Sequence, residues 1–225
     1  MWYKVKKIYM RQNGVEKQVR PATWNPWSNT IAYYPLTSTT TVNDMSGNNY
    51  NLTNTWWVTF VSYQWVNCAY YAGTWFLKNT SLSYDKRAFT MQWWWYYLRK
   101  NANNTSFIRR WPNLWAYIDR DTNNLRCSPW WIWWTVISSD SWWNLITVTY
   151  DWNVTMKLYL NWTLIWTKTD TSPSTWWWLS VWNANINSTT DYWYWWISEV
   201  IIENKVWTAT EVSNYYNLTK SKYWL

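Results

Sequence analysis

Two carboxylate pairs, Asp119 with Asp121 and Glu199 with Glu203, are the closest this chain comes to hydrolytic chemistry. Cleaving a glycosidic bond takes two carboxyls flanking it, one to protonate the leaving oxygen and one to attack or to activate water. Asp119 and Asp121, in AYIDRDTNN, read as a solvated hairpin turn. Glu199 and Glu203, in ISEVIIE, stand four apart, so a strand would put both on one face. No strand carries an E-x-D-x-x-E run, and the chain has 12 acidic residues in all. The absence of histidine excludes a Ser-His-Asp triad, a Cys-His dyad and a histidine-based zinc site. Cys68 and Cys127 stand alone in strand-like text, where a buried reduced thiol is the default and a bridge needs neighbouring strands. Nucleotide binding has no support, since no glycine-rich stretch opens a helix after a strand. These residues point away from an enzyme.

The elements that would position any site are strands. The chain is rich in Thr, Tyr, Val, Ile and Asn and poor in Ala and Glu, and it predicts about a dozen short strands with turns at close intervals. They fall at IAYYPL, YNLT, VTFVSY, VNCAYY, Ala88 to Leu98, TSFIRR, AYIDR, NLRCS, TVISS, NLITVTY, TMKLYL, TLIWTKT, LSVWNA and ISEVIIE. One helix, over about 208–220, is announced by Thr208 and Glu211, a capping box ahead of Val212, Tyr215 and Tyr216. This is the pattern of an all-β, two-sheet antiparallel jelly-roll sandwich with a short C-terminal helix. Residues 1–28 read as a basic arm and 29–225 as the domain. Net charge is +8, and the first twenty residues hold Lys4, Lys6, Lys7, Arg11, Lys17 and Arg20 against Glu16. That density suits partner docking better than nucleic-acid binding. MWYKVKKIYM lacks the apolar stretch of a secretory signal and no run reads as a membrane span, so the expected route outside is assembly into a particle.

Thirty tryptophans stand against three glycines, where average usage predicts roughly 16 glycines. Tryptophan occupies turn positions, as in Asn161-Trp162 and Asp151-Trp152, where Asn-Gly and Asp-Gly are the strongest hairpin signals. The clusters at Trp130 to Trp134, Trp176 to Trp178 and Trp193 to Trp196 read as glycine-rich loops once glycine is substituted. The pattern is that of UGA codons read as glycine by the source and written as tryptophan. On that reading, a literal tryptophan at 152 and 162 strains both hairpins.

From Ile31 to Glu211 the chain resembles the laminin-G-like jelly-roll branch of the concanavalin A-like lectin/glucanase superfamily. The resemblance rests on IAYYPL, NDMSGNN, CAYYAGTWFL, AFTMQWWWYYL, WAYID, WNLITVTYDWNVTMKLYLNWTLI and WISEVIIENKVWTATEV. These follow the family's opening Y-P-L strand, D-x-S-G-N turn, F-T-x-x-x-W strand, T-Y-D-G hairpin and closing D-E-V-x-I-Y strand. It implies that Trp94, Trp143 and Trp207 are genuine. It places Trp57, Trp65, Trp75, Trp115, Trp142, Trp152, Trp162, Trp166, Trp182, Trp196 and Trp224 at turns or glycine steps, and leaves Trp2, Trp27 and Trp95 unassigned.

The resemblance further implies binding rather than catalysis: a carbohydrate-recognition or adhesion module for a glycan or cell-surface polysaccharide, with a structural decoration or oligomerisation domain as the alternative. Stacking on a sugar falls to Tyr192 and Tyr194, and hydroxyl recognition to Asp191 and Asn187. Calcium, held by Asp44 with Asn48 or Glu199, is set against a plain Asx turn at Asp44. The basic arm followed by a lectin-like domain suits a phage or phage-like particle, with the arm attached to a particle or tail protein.

Overall fold

The structure, a computed structural model, describes residues 8–12, 15–19, 29–37, 41–55, 58–72, 76–79, 82, 88–97, 105–111, 114–118, 125–128, 142–151, 155–169, 178–182 and 194–225. Near the start of the chain, β1 (Ile8–Gln12) and β2 (Val15–Val19) pair antiparallel with Gln12 opposite Val15. The segment expected to be a basic arm therefore contains a two-stranded antiparallel pair that composition alone did not suggest.

The following strands are β3 (Thr30–Tyr34), β4 (Thr41–Val42), β5 (Leu52–Thr55), β6 (Thr59–Tyr63), β7 (Val66–Ala72), β8 (Phe76–Asn79) and β9 (Phe89–Tyr97). Then come β10 (Thr105–Trp111), β11 (Leu114–Ile118), β12 (Leu125–Ser128), β13 (Trp143–Tyr150), β14 (Thr155–Leu160), β15 (Thr163–Thr169), β16 (Trp178–Trp182) and β17 (Tyr194–Glu203). One sheet runs β12-β11-β10-β16-β8-β5-β4, and the other runs β15-β14-β13-β9-β17-β7-β6 with β3 beside the far end of β17. This is the expected two-sheet antiparallel sandwich. The predicted strand at TVISS lies outside the described residues.

Leu52 and Leu77 of the first sheet share one apolar core with Met91, Trp93, Ile146, Val148, Leu158, Val200 and Ile202 of the second. Alternation along a strand sends the next residues to the opposite face. There Trp94, Trp143, Leu145, Tyr159 and Ile201 form a second core with Val212, Tyr215, Tyr216 and Tyr223. β13, flanked by β14 and β9, is therefore buried on both faces along its whole length, whereas β14 is only partly buried.

The lid over that second core is α1 (Ala209–Thr219), continued by a 3-10 turn over Lys220–Tyr223. Its start is the predicted capping box: Glu211 N–H donates to Thr208 Oγ1 at 3.2 Å and Thr208 N–H donates to Glu211 Oε2 at 2.8 Å. Trp207, just ahead of the cap, lies in the same core as Val212, a staple that fixes the approach of the chain. Trp94 ties sheet to lid, donating its indole N–H to Thr219 Oγ1 at 3.2 Å and stacking on Tyr223 at 3.9 Å.

Backbone strain falls at positions only partly foreseen. Between β6 and β7, Gln64 and Trp65 have φ of 46° and 64°, with Tyr63 opposite Val66. Both central residues of this two-residue turn therefore lie in the left-handed region, which favours glycine at the second. At the β14–β15 turn the positive φ belongs to Asn161, at 59°, and Trp162 is not among the positive-φ residues. The expected strain at Trp162 is thus absent, because asparagine tolerates the left-handed region. Trp152 lies outside the described residues.

Candidate functional site

Three of the four predicted ligand-binding residues, Asn187, Asp191 and Tyr192, lie outside the described residues. The fourth, Tyr194, opens β17 opposite Ala72. Two positions further along β17, Trp196 stands opposite Tyr70 and is the hub of an aromatic cluster. Tyr63 stacks on the Trp196 indole with centroids 4.0 Å apart and planes at 17°. Tyr70 lies tilted at 5.3 Å and Tyr96 meets the indole edge-on at 5.7 Å. Trp196 is 7% exposed and Tyr96 is buried, whereas Tyr63 and Tyr70 are half-buried at the surface. Exposed Gln64 donates from Nε2 to the Tyr96 hydroxyl at 3.2 Å. The result is a braced, uncharged, amphipathic wall at the β6–β7 end of the sheet. Sequence reading missed Tyr63 and Tyr70 because they lie far from β17 in the chain, and only the β6–β7 and β7–β17 pairings assemble them.

The Asp44 turn is built on hydrogen bonds to the carboxylate. Oδ1 accepts the N–H groups of Tyr33 and Ser46, each at 2.9 Å, while Oδ2 accepts Ser46 Oγ at 2.8 Å and Tyr50 N–H at 3.1 Å. Asn48 spends its amide donor on the carbonyls of Thr30 and Ile31. Asp44 and Glu199 grip opposite ends of Tyr33, the first its N–H and the second its phenol. Among the described residues no three His, Cys, Asp or Glu side chains gather at one point. The carboxylate thus closes an Asx turn, with protein donors on both of its oxygens. Asp44→Asn, which turns one oxygen into a donor facing donors, is expected to lower unfolding free energy by about 2 kcal/mol. Urea unfolding in calcium and in chelator checks this, with the same midpoint expected in both.

Glu199 is buried beneath the lid, where Oε2 accepts Tyr33 Oη and Lys222 Nζ, each at 3.2 Å, and Oε1 accepts the Tyr215 phenol. Beside it the hydroxyls of Ser198 and Tyr223 are hydrogen-bonded. Burial first, and then the Glu199 charge, push the Tyr33, Tyr215 and Tyr223 phenols above their ordinary range, so they stay protonated. Glu199 thus clamps lid to sheet. Glu203 is 0% exposed, and its Oε1 accepts Thr30 Oγ1 at 2.5 Å while Oε2 has no partner among the described residues. The two glutamates share a face, but four residues of strand separate their backbones by about 13 Å, with Ile201 between. That exceeds the roughly 5 to 9.5 Å between glycosidase carboxyls, and Glu199 is held by the lid while Glu203 Oε1 is held by Thr30. Asp119 and Asp121 lie outside the described residues.

Cys68 is free and buried on β7, with burial pushing its thiol up to about 12. Cys127 stands on β12, at the far edge of the other sheet.

No protein-family model and no curated protein matches the chain. Solved structures do. A structure of botulinum neurotoxin type C, described as entering cells through interaction with two ganglioside molecules, matches with TM-score 0.66 and 16% identity over 84% of this chain and 51% of that one. The binding domain of botulinum neurotoxin DC in complex with rat synaptotagmin II matches with TM-score 0.66 and 15% identity over the same shares. The binding domain of Paraclostridial Mosquitocidal Protein 1 matches with TM-score 0.62 and 17% identity over 84% of this chain and 52% of that one. The chain spans about half the length of these structures, and at such identities the likeness establishes a shared β-rich fold.

Proposed function

We propose that this chain is a non-catalytic carbohydrate-recognition or adhesion module. The observation that carries the reading is the aromatic wall of Tyr63 and Tyr70 braced on Trp196, beside the start of β17 where Tyr194 stands. Half-exposed rings held rigid by other rings suit stacking on a sugar at little entropic cost. Fold neighbours described with ganglioside molecules and with SialylT add support. Glu199 and Glu203 are occupied structurally, which favours binding over hydrolysis. Asn187, Asp191, Tyr192 and Tyr194 form the other half of the proposed site, and the basic arm with its β1–β2 hairpin is the proposed attachment to a particle or tail protein.

A glycan array tests the reading. Saturable binding that falls about tenfold or more in Tyr192→Ala or Tyr194→Ala is expected, in line with one lost stacking contact and its hydrogen bonds. A uniformly blank array would support a structural decoration or oligomerisation domain instead.

We also infer that several tryptophans stand for glycine. Trp65 and Trp224 have φ of 64° and 61° and are 86% and 72% exposed, so they spend strain without burying their rings. Trp224 follows a 3-10 turn in the left-handed cap position that glycine usually fills. Trp196 is different: its packing between Tyr63, Tyr70 and Tyr96 favours tryptophan there, against the assignment from the family pattern.

A further inference from the structure

The wall's chemistry points to its ligand class, and we propose that it takes a neutral pyranose rather than a sialylated or otherwise anionic glycan. The inference rests on the carbohydrate-recognition reading and deepens it. Its surface members are Tyr63, Gln64 and Tyr70, with Trp196 behind them, and none of these carries a charge. Recognition of a carboxylate-bearing sugar calls for a cation or a fork of donors at the site. The described cations nearest β17 in sequence or contact are each paired with a carboxylate, Lys222 with Glu199 on the lid side of β17 and Lys205 with Glu211 at the helix start. A neutral ring asks for what the wall has. The C–H face of a pyranose meets the electron-rich face of a phenol, and hydroxyls at the ring edge need uncharged partners such as the Gln64 amide, which is anchored through Nε2 on the Tyr96 hydroxyl. The bracing of Tyr63 on Trp196 matters here, because a ring already fixed loses little freedom when a sugar settles on it.

The test is an array of neutral hexose and N-acetylhexosamine oligosaccharides printed beside their sialylated counterparts, followed by titration calorimetry on the best neutral binder. Neutral glycans are expected to bind, Tyr63→Ala to weaken binding about tenfold, and Tyr63→Phe to retain most of it. Gln64→Ala, on an exposed turn where it cannot unfold the sheet, is expected to weaken binding about threefold by removing an amide partner. Binding of sialylated glycans alone overturns the proposal. So does neutral binding that survives both Tyr63→Ala and Gln64→Ala but disappears in Tyr194→Ala, an outcome that leaves the general reading intact. A blank array removes the general reading and this one with it.

Discussion

Glu203→Gln is expected to raise unfolding free energy by about 2 kcal/mol at pH 8 and to change it little at pH 4.5. Glu203 is 0% exposed and its carboxyl is pushed up to about 7, by burial first, with the Thr30 hydrogen bond and Lys205 pulling it back and Glu211 pushing it further. The folded state thus holds a proton that the unfolded chain releases at an ordinary carboxylate pH. For a group raised on folding, its stabilising contribution is complete below the unfolded pKa and is lost as pH rises through the folded one. Native stability should therefore fall between about pH 4.5 and 7 and then level off. Glutamine copies the protonated acid, keeping the acceptor for Thr30 and removing the charge from a site where Oε2 has no described partner. Urea unfolding at intervals across that range decides the matter. A variant whose stability follows the native pH profile would show that another group is responsible.

The position of Glu203 shows where sequence reading stops. The closing strand was legible from its Val, Ile and Glu pattern, and so was the shared face of Glu199 and Glu203. Which residues they face was not. Glu203 meets Thr30 because β3 lies beside β17 across 173 residues of chain, and no local pattern encodes that neighbour. The capping box of Thr208 and Glu211 was read correctly because its whole geometry lies within one turn of helix. The β1–β2 hairpin is equally local, with the turn signal Asn13-Gly14 in the sequence between its two strands. The wall of Tyr63, Tyr70 and Trp196 lies at the other extreme: two ordinary strand tyrosines and a tryptophan that the family pattern reads as glycine, whose meeting depends on two separate sheet pairings. Of the residues chosen from sequence, Tyr194 stands on β17 two positions before Trp196.

Trp94→Ala is expected to destabilise the protein by about 3–5 kcal/mol, while Trp65→Gly is expected to stabilise it by about 0.5–1 kcal/mol. The two indoles differ in every respect that decides the sign. Trp94 is fully buried between sheet and lid, stacks on Tyr223 and donates its N–H to Thr219. Its removal opens a cavity beneath α1 and strips a buried hydroxyl of one partner. Trp65 sits at φ 64° in the second position of a two-residue turn and leaves 86% of its surface in water. A non-glycine residue there carries roughly 1–2 kcal/mol of strain, which the extra chain entropy of glycine only partly offsets. If the tryptophans record UGA codons read as glycine, native selection acted on glycine at 65 and 224 and on tryptophan at 94, 196 and 207. Peptide mass spectrometry on protein from the source organism reads these positions directly, along with 162 and 166 in LYLNWTLIWTK. Glycine at 65 and 224 with tryptophan at 94 would make an exposed tryptophan at positive φ the mark of recoding. Tryptophan at 65 would instead mean that the turn beside Tyr63 keeps a strained, exposed indole at the edge of the aromatic wall, where another ring would enlarge the stacking surface.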